Sequence, residues 1–279
     1  MRPADVRRAV FAWASRLDRP LPWRGERDPY RLLVSEVMLQ QTQALRVVPH
    51  YERFLRRFPT VEALASASSA DVLRSWDNLG YNRRALNLWR TAQAVVVRGG
   101  FPRTVDELVE LPGVGPYTAR AVASFAFDVE VAAADVNVRR VVARLHGVVP
   151  AASEVQELAG GLVPRGKAAV WNQAMIDLGA EVCRARNPRC GECPVRSSCA
   201  WANGVRPAPA PQAKTPRFED TTRYARGRVV QVLRRIDGLT KTTLAEQSGL
   251  SRHRLDDALR TLEDDGLIAR RNRRYVLGR

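Results

Sequence analysis

An all-α body followed by a small, mainly helical module is what this sequence predicts, on three observations. From residue 4 to about 182 the apolar residues recur at helical spacing, with almost no strand-like alternation. The helices carry chemical start and stop signals: serine or threonine before "SADVLRSW" and "VDELVEL", glycines after "RRALNLWRTAQAVVVR". Near residue 202 this pattern gives way to "ANGVRPAPAPQAKTPRFEDTT", where proline, alanine and glycine displace it and predict a linker over 202–222. A chain of 279 residues is long enough to bury a sizeable core under such an arrangement.

In chain order, "MRPADVRRAVFAWASRL" opens as an amphipathic helix with no signal-peptide core behind it, which predicts a cytosolic protein. "RLLVSEVMLQQTQALRVVPHYERFLRRF" predicts two helices broken at Pro49 or before, because proline lacks the amide that a helix interior needs. In "ELPGVGPYTARAVASFAF", residues Leu111, Pro112, Gly113, Val114 and Gly115 separate one helix end from the next helix start. The two glycines let the backbone turn tightly and approach a phosphate, with amide hydrogens at the following helix N-terminus free to bind it. "AADVNVRRVVARL" then begins a helix with Asp135 in the position of an N-cap. Beyond the linker, "RYARGRVVQVLRRIDG", "TKTTLAEQSG" and "SRHRLDDALRTLEDDG" predict three helices, and "LIARRNRRYVLGR" a two-stranded wing, so 223–279 reads as a winged-helix-like domain.

Lys and Arg number 45 against 29 Asp and Glu, a net charge of +16 that points to a polyanionic partner, with nucleic acid the leading candidate. An arginine-rich composition alone accounts for part of such an excess. Residues 221–279 contribute 14 basic and 7 acidic residues, which suits either DNA contact or protein packing. No apolar run approaches the roughly 20 residues of a membrane span, which excludes a helical membrane protein. The histidines His50, His146 and His253 are scattered and sit in no ligand pattern.

All four cysteines fall in "CRARNPRCGECPVRSSC", with six, two and five residues between Cys183, Cys190, Cys193 and Cys199. Four thiolates bind a soft metal centre, either tetrahedral zinc or a cubane iron–sulfur cluster. Zinc sites usually combine two close pairs; one close pair with distant outer cysteines favours the larger cluster. Arg184, Arg186, Arg189 and Arg196 lie in or beside this loop, where a rigid cluster would present them to phosphates. A second chemical candidate is Glu36, whose helix places Leu33, Val37 and Gln40 on roughly the same face. Burial there disfavours the charged carboxylate and suits it to general-acid work near neutrality.

The cysteine spacing resembles the [4Fe-4S] loop of the endonuclease III and MutY branch of DNA glycosylases. "LPWRGERDPYRLLVSEVMLQQTQ", "LGYNRRALNL", "LPGVGPYTA", "WNQAMIDLGAEVC" and D-V-N-V-R-R-V at 135–141 resemble MutY-type adenine glycosylases in the same order, so the resemblance covers roughly residues 15–201. It implies a helix-hairpin-helix glycosylase domain over 1–201, with two helical lobes and a [4Fe-4S] cluster on the four cysteines of the 183–199 loop. The implied substrate is double-stranded DNA with a mismatched or damaged base, bound by a monomer, and the implied target is adenine opposite 8-oxoguanine or guanine. Such a nucleotide must leave the stack before its glycosidic bond is reached.

By the same resemblance Gln41 and Tyr81 fill the gap in the duplex, Trp23, Arg24, Leu39, Gln173 and Ile176 surround the extruded base, and Gly113, Val114 and Gly115 hold phosphate. Glu36 is the implied proton donor, Asp135 the implied stabiliser of the sugar cation with Asn137 beside it, and Tyr117 stands where bifunctional relatives carry a catalytic lysine. A monofunctional enzyme follows, because without that amine no Schiff base forms. Asn82 in place of the second tyrosine of L-G-Y-Y and Val136 in place of glycine depart from the family pattern, and nothing after residue 201 resembles the Nudix-like domain that reads 8-oxoguanine. Two alternatives remain open: a related glycosylase acting on thymine, uracil or an oxidised pyrimidine, and a non-catalytic iron–sulfur DNA-binding regulator.

Overall fold

The computed structural model describes residues 2–148, 151–206 and 216–278. Its elements are α1 (Pro3–Ala14), α2 (Pro29–Leu39), α3 (Ala44–Arg57), α4 (Val61–Ala65), α5 (Ser69–Ser75), α6 (Arg83–Arg98), α7 (Val105–Val109), α8 (Pro116–Phe127), α9 (Val136–His146), α10 (Ala152–Gly160), α11 (Ala168–Asp177), α12 (Thr222–Arg235), α13 (Lys241–Ser248), α14 (Arg252–Asp264), and the strands β1 (Ile268–Arg271) and β2 (Arg274–Leu277). Among the described residues the architecture is all-α apart from that one hairpin. Contacts divide the chain into a first unit of Met1–Leu33, Pro102–Glu110 and Gly115–Pro211, and a second of Val34–Phe101, Leu111–Val114 and Gln212–Arg279.

Local chemistry sets the helix starts. Thr60, Ser68, Thr104, Thr221 and Thr240 each accept a backbone amide of the helix they precede, removing one unpaired donor at its first turn. Asp28 accepts from the amides of Tyr30 and Arg31 ahead of Pro29, whose missing amide costs nothing at a first helical position. The break between α2 and α3 falls at residues 40–43, and Pro49 lies inside α3. Proline is tolerated there because it sits with Leu45 on an exposed face, where the carbonyl left without an amide partner opens to solvent.

In the first unit Val6 and Val10 of α1, Val138, Val142 and Leu145 of α9, and Trp171 and Met175 of α11 share one core. Phe11 meets Trp171 edge-on at 5.6 Å. Buried Asn172 donates to Ser124 Oγ and the Val131 carbonyl, both at 2.8 Å, and accepts from the Ala133 amide at 3.0 Å. Its side chain thereby pins the extended segment that leads into α9. After α11 the chain widens into a π-helical turn, Leu178–Val182, ahead of Cys183.

In the second unit Phe54 packs on Phe58 and Trp76 with centroids 5.0 and 5.9 Å apart. The C-terminal elements group here: α12 packs on α13, α14 and β2, and α5 also touches β2. β1 and β2 pair antiparallel with Ile268 opposite Leu277. Within the expected linker 202–222, residues 207–215 lie outside the described residues. Among the described residues no helix is long and apolar enough to cross a membrane.

The π turn approaches α9 so closely that a Cβ on Gly179 would lie 2.6 Å from Asn137 Cβ and 2.9 Å from its carbonyl carbon. Gly179→Ala is therefore expected to cost about 1–3 kcal/mol of stability, read as a lower urea midpoint with an unchanged slope.

Candidate active site

Asp135 caps α9 with both carboxylate oxygens. Oδ1 accepts from the amides of Asn137 at 2.9 Å and Val138 at 2.7 Å, and Oδ2 accepts from Asn137 Nδ2 at 2.7 Å. Burial pushes the carboxyl above its usual value and outweighs these three donors and the nearby Arg140, all of which favour the anion. Arg140 lies one turn along the helix. It donates to Asn137 Oδ1 at 2.8 Å, to the Gly179 carbonyl at 2.7 Å and to the Cys183 carbonyl at 2.6 Å. Thus the N-cap, the π turn and the start of the cysteine loop share one guanidinium.

Among the residues expected around an extruded base, Arg24 and Gln173 meet through a group the sequence reading missed. Arg24 Nη2 and Arg19 Nη1 both bond the buried Asp177 carboxylate, the latter at 2.7 Å, and Gln173 Nε2 reaches the same group at 3.4 Å. The Nε of Arg24 is buried with no acceptor among the described residues, a donor held ready in the first unit. Trp23 is buried, while Ile176 and Tyr117 are half-buried; Tyr117 packs on the cluster of Leu32, Ala121 and Phe125.

The four cysteines are thiols, not disulfides, and together with Arg144 and Trp201 they line one small cavity. Burial pushes the Cys193 thiol up to about 11 and Cys199 upward as well, so their thiolates require a positive centre. Among the described residues no group of His, Cys, Asp or Glu is placed to hold a single metal ion, whereas a ring of four sulfurs suits a cluster several atoms wide. Arg144 donates to the carbonyls of Arg184 at 2.7 Å and Ala185 at 3.1 Å and so fastens the loop to α9. Arg186, Arg189 and Arg196 are exposed; Arg184 is half-buried and bonds the Glu181 carbonyl.

The second unit holds the other expected residues. Glu36 is buried, 7% exposed, in the middle of α2 between Leu33 and Val37, and Leu39 is half-buried at its end. The carbonyls that end α2 converge on Arg84, unanticipated from sequence, which donates to Val37 at 2.7 Å, Met38 at 3.2 Å and Gln40 at 2.5 Å, and to Leu79 at 3.2 Å. Burial pushes its guanidinium down to about 10, so it stays charged. Gln41 and Tyr81 both have positive φ, 55° and 46°, and the Tyr81 hydroxyl donates to Gln41 Oε1. They line a groove of about 810 Å³ with Arg46, Arg83, Arg84, Arg223, Arg226 and Arg234 and with no carboxylate among the described lining residues. Asn82 stands at the N-cap of α6 without capping it; its Oδ1 accepts from Arg234 Nη2 at 2.8 Å.

In the hairpin, Gly113 has φ 77° and a Cβ there would collide with Asn87 Cβ at 2.5 Å. Thr91 Oγ1 donates to the Pro112 carbonyl at 2.6 Å and holds the turn from below. Val114 is buried, and Gly115 starts α8 with no side chain capping its amides. Glu36 and Asp135 thus fall in different units, while Gln41 with Tyr81, Arg24 with Gln173, and the four cysteines are each brought together.

A tight glycine hairpin ahead of a helix that begins on a half-buried aspartate is the arrangement of a base-excision enzyme of the helix-hairpin-helix class. Residues 34–165 match the HhH-GPD superfamily of base excision DNA repair proteins, and 183–199 match the iron–sulfur binding domain of endonuclease III. The adenine DNA glycosylase of Mycolicibacterium smegmatis is 41% identical over 271 residues, 93% of this chain and 91% of that one. A thermostable thymine-DNA glycosylase structure is similar with TM-score 0.68 and 30% identity, covering 72% of this chain and 96% of that one. A trapped endonuclease III–DNA covalent intermediate follows with TM-score 0.62 and 26% identity, covering 73% and 98%. The chain belongs to the adenine DNA glycosylase family, and it is a DNA N-glycosylase carrying a [4Fe-4S] cluster.

Arg84→Met would leave carbonyls of α2 and of residue 79 without donors. It is expected to cost about 1–3 kcal/mol, measured by thermal unfolding, and to release the backbone of residues 37–40 in hydrogen exchange.

Proposed function

We propose that the chain hydrolyses the N-glycosidic bond of an adenine extruded from opposite 8-oxoguanine or guanine, as a monofunctional enzyme acting as a monomer on double-stranded DNA in the cytoplasm. The observation that carries this reading is Asp135: a half-buried carboxylate at a helix N-terminus, held by three donors, in a chain 41% identical to a protein named adenine DNA glycosylase.

Glu36 transfers its proton to a purine ring nitrogen, and the sugar–nitrogen bond then breaks with its electron pair leaving on the neutral base. The cationic sugar faces Asp135, which stabilises it or bonds it briefly, as a carboxylate does in glycoside hydrolysis. Water adds to the anomeric carbon and returns a proton to Glu36, leaving an abasic site. Gln41 and Tyr81 occupy the emptied stack, and Trp23, Arg24, Leu39, Gln173 and Ile176 enclose the base. Arg24 Nε is the donor best prepared for it. Gly113, Val114 and Gly115 hold one phosphate stretch, and Arg184, Arg186 and Arg189 another. When bound, the cluster supplies iron–thiolate bonds that fasten residues 183–199. Asn137 fixes the Asp135 carboxylate, and Tyr117 offers no amine for a covalent imine.

Single-turnover assays on duplexes with A·8-oxoguanine, A·G, T·G and U·G test the substrate. Release of adenine alone supports the reading; release of pyrimidines alone replaces it. Glu36→Gln and Asp135→Asn are each expected to slow excision by about 10²–10⁴-fold with DNA affinity retained, and borohydride should trap no enzyme–DNA adduct.

The reaction needs ionised Asp135, whose pKa burial raises, so the rate should fall with decreasing pH from above the ordinary aspartate range. Asn137→Ala removes a donor that favours the anion. The acid limb should therefore move to still higher pH, by roughly half to one pH unit.

A further inference from the structure

The C-terminal elements reach the Tyr81–Gln41 pair directly. Arg234 of α12 is 10% exposed and donates to the carbonyls of Leu73 at 2.8 Å and Trp76 at 3.3 Å, and to Asn82 Oδ1 at 2.8 Å. These acceptors bracket residues 76–82, the loop that carries Tyr81. Its conformation is demanding: Asn78 and Tyr81 have φ of 60° and 46°, a region that costs L-residues energy unless neighbours enforce it. Arg223, also on α12, donates to the Tyr81 hydroxyl, and its guanidinium lies 4.8 Å from the Tyr81 ring centroid and 4.7 Å from that of Phe218. Arg74 Nη2 adds a bridge to Asp237 at 2.7 Å.

Resting on the reading above that Tyr81 and Gln41 fill the emptied stack, we propose that Arg223 and Arg234 are positioning residues for that pair, making the C-terminal module part of the extrusion machinery. A tyrosine that enters the duplex already oriented spares the ordering cost at the moment of extrusion. Arg234 holds the loop and Arg223 holds the ring, while Tyr81 hands the constraint on to Gln41 through its hydroxyl. Asn82 belongs to the same device, because its carbonyl oxygen, unused by α6, is an acceptor for Arg234. The solved relative at TM-score 0.68 is covered over 96% of its length by only 72% of this chain, so most of that fold forms without a counterpart of the remaining segment.

The test uses the full chain and a duplex with 2-aminopurine at the target position, whose emission rises on unstacking, together with single-turnover excision from the matching adenine duplex. Variants are Arg223→Ala, Arg234→Met, Asn82→Ala, Tyr81→Ala, and the first two each combined with Tyr81→Ala; Arg235→Ala, exposed on the same helix, controls for lost charge. Arg223→Ala and Arg234→Met should each lower extrusion and excision about tenfold, Asn82→Ala less, and each double variant should be no slower than Tyr81→Ala alone. The salt slope of binding to undamaged duplex should stay unchanged in Arg223→Ala.

Multiplicative losses in the double variants, or a slope reduced by roughly 0.9 as for a lost phosphate contact, overturn the proposal by making these arginines direct DNA ligands. Unchanged extrusion in Arg223→Ala and Asn82→Ala, with Tyr81→Ala impaired, also overturns it while leaving the reading of Tyr81 intact. A silent Tyr81→Ala sinks that reading first and the proposal with it. Exposed Arg223 and half-buried Asn82 keep the test open if Arg234→Met fails to fold.

Discussion

Three hydrogen bonds at the first turn of α9 fix the Asp135 carboxylate, and the packing of the first unit around it depends on them. A carboxylate taken out of water prefers to be neutral, and for Asp135 burial prevails over three donors and a guanidinium. Without those donors the group would lie further from its ionised form, and the side chain would lose its fixed direction. The donors are fixed in turn, because Asn172 pins residues 131–133 and Arg140 holds the far side of Asn137. Arg140 and Arg144 are one turn apart on α9 and bond carbonyls at 179, 183, 184 and 185, so the helix cannot slide without carrying the cysteine loop with it. The start of the cysteine loop and the Asp135 N-cap are therefore tied to the same helix through ordinary neutral acceptors.

The second unit solves a related problem with the same residue type. Where α2 ends, its last carbonyls have no amide partners, and Arg84 collects two of them, the Gln40 carbonyl just beyond, and one from the loop before Tyr81. A charged donor serving neutral acceptors gives stronger bonds than an amide would. One side chain then sets the spacing between Gln41 and Tyr81, two residues in left-handed conformations that would relax if the carbonyls around them were free to turn.

Much of this was legible in the sequence where the determinants are local. Serine and threonine caps, the Leu-Pro-Gly-Val-Gly turn, and the uneven cysteine spacing act within a few residues of themselves. The burial of Glu36 followed from Leu33 and Val37 sharing its face. Asp177, Arg84, Arg140 and Arg234 were not legible, because their roles depend on partners brought close by tertiary folding: Arg24 is 153 residues from Asp177, and Arg234 is 152 from Asn82. The break between α2 and α3 falls before Pro49, within the expected bounds, and Pro49 itself stays inside α3, since a proline on a solvent-facing stripe weakens a helix without ending it. Asn82 departs from the family motif at a position whose partner, Arg234, lies 152 residues away in the chain.

The charge balance changes meaning in the same light. A surplus of +16 reads as phosphate affinity, yet Arg7, Arg27, Arg84, Arg140, Arg144 and Arg234 spend their donors on main-chain carbonyls. A charge on the protein adds to the long-range field felt by DNA, over a screening length of about 10 Å at 0.1 M salt, whatever its local partners. Direct contact with phosphate, which displaces counterions, is a separate effect and sets the salt dependence of binding. Formal charge therefore overstates the number of phosphates gripped. Exposed arginines such as Arg186, Arg189 and Arg196 keep their guanidinium groups open to solvent, on a loop whose own position is held by Arg140 and Arg144 through main-chain carbonyls.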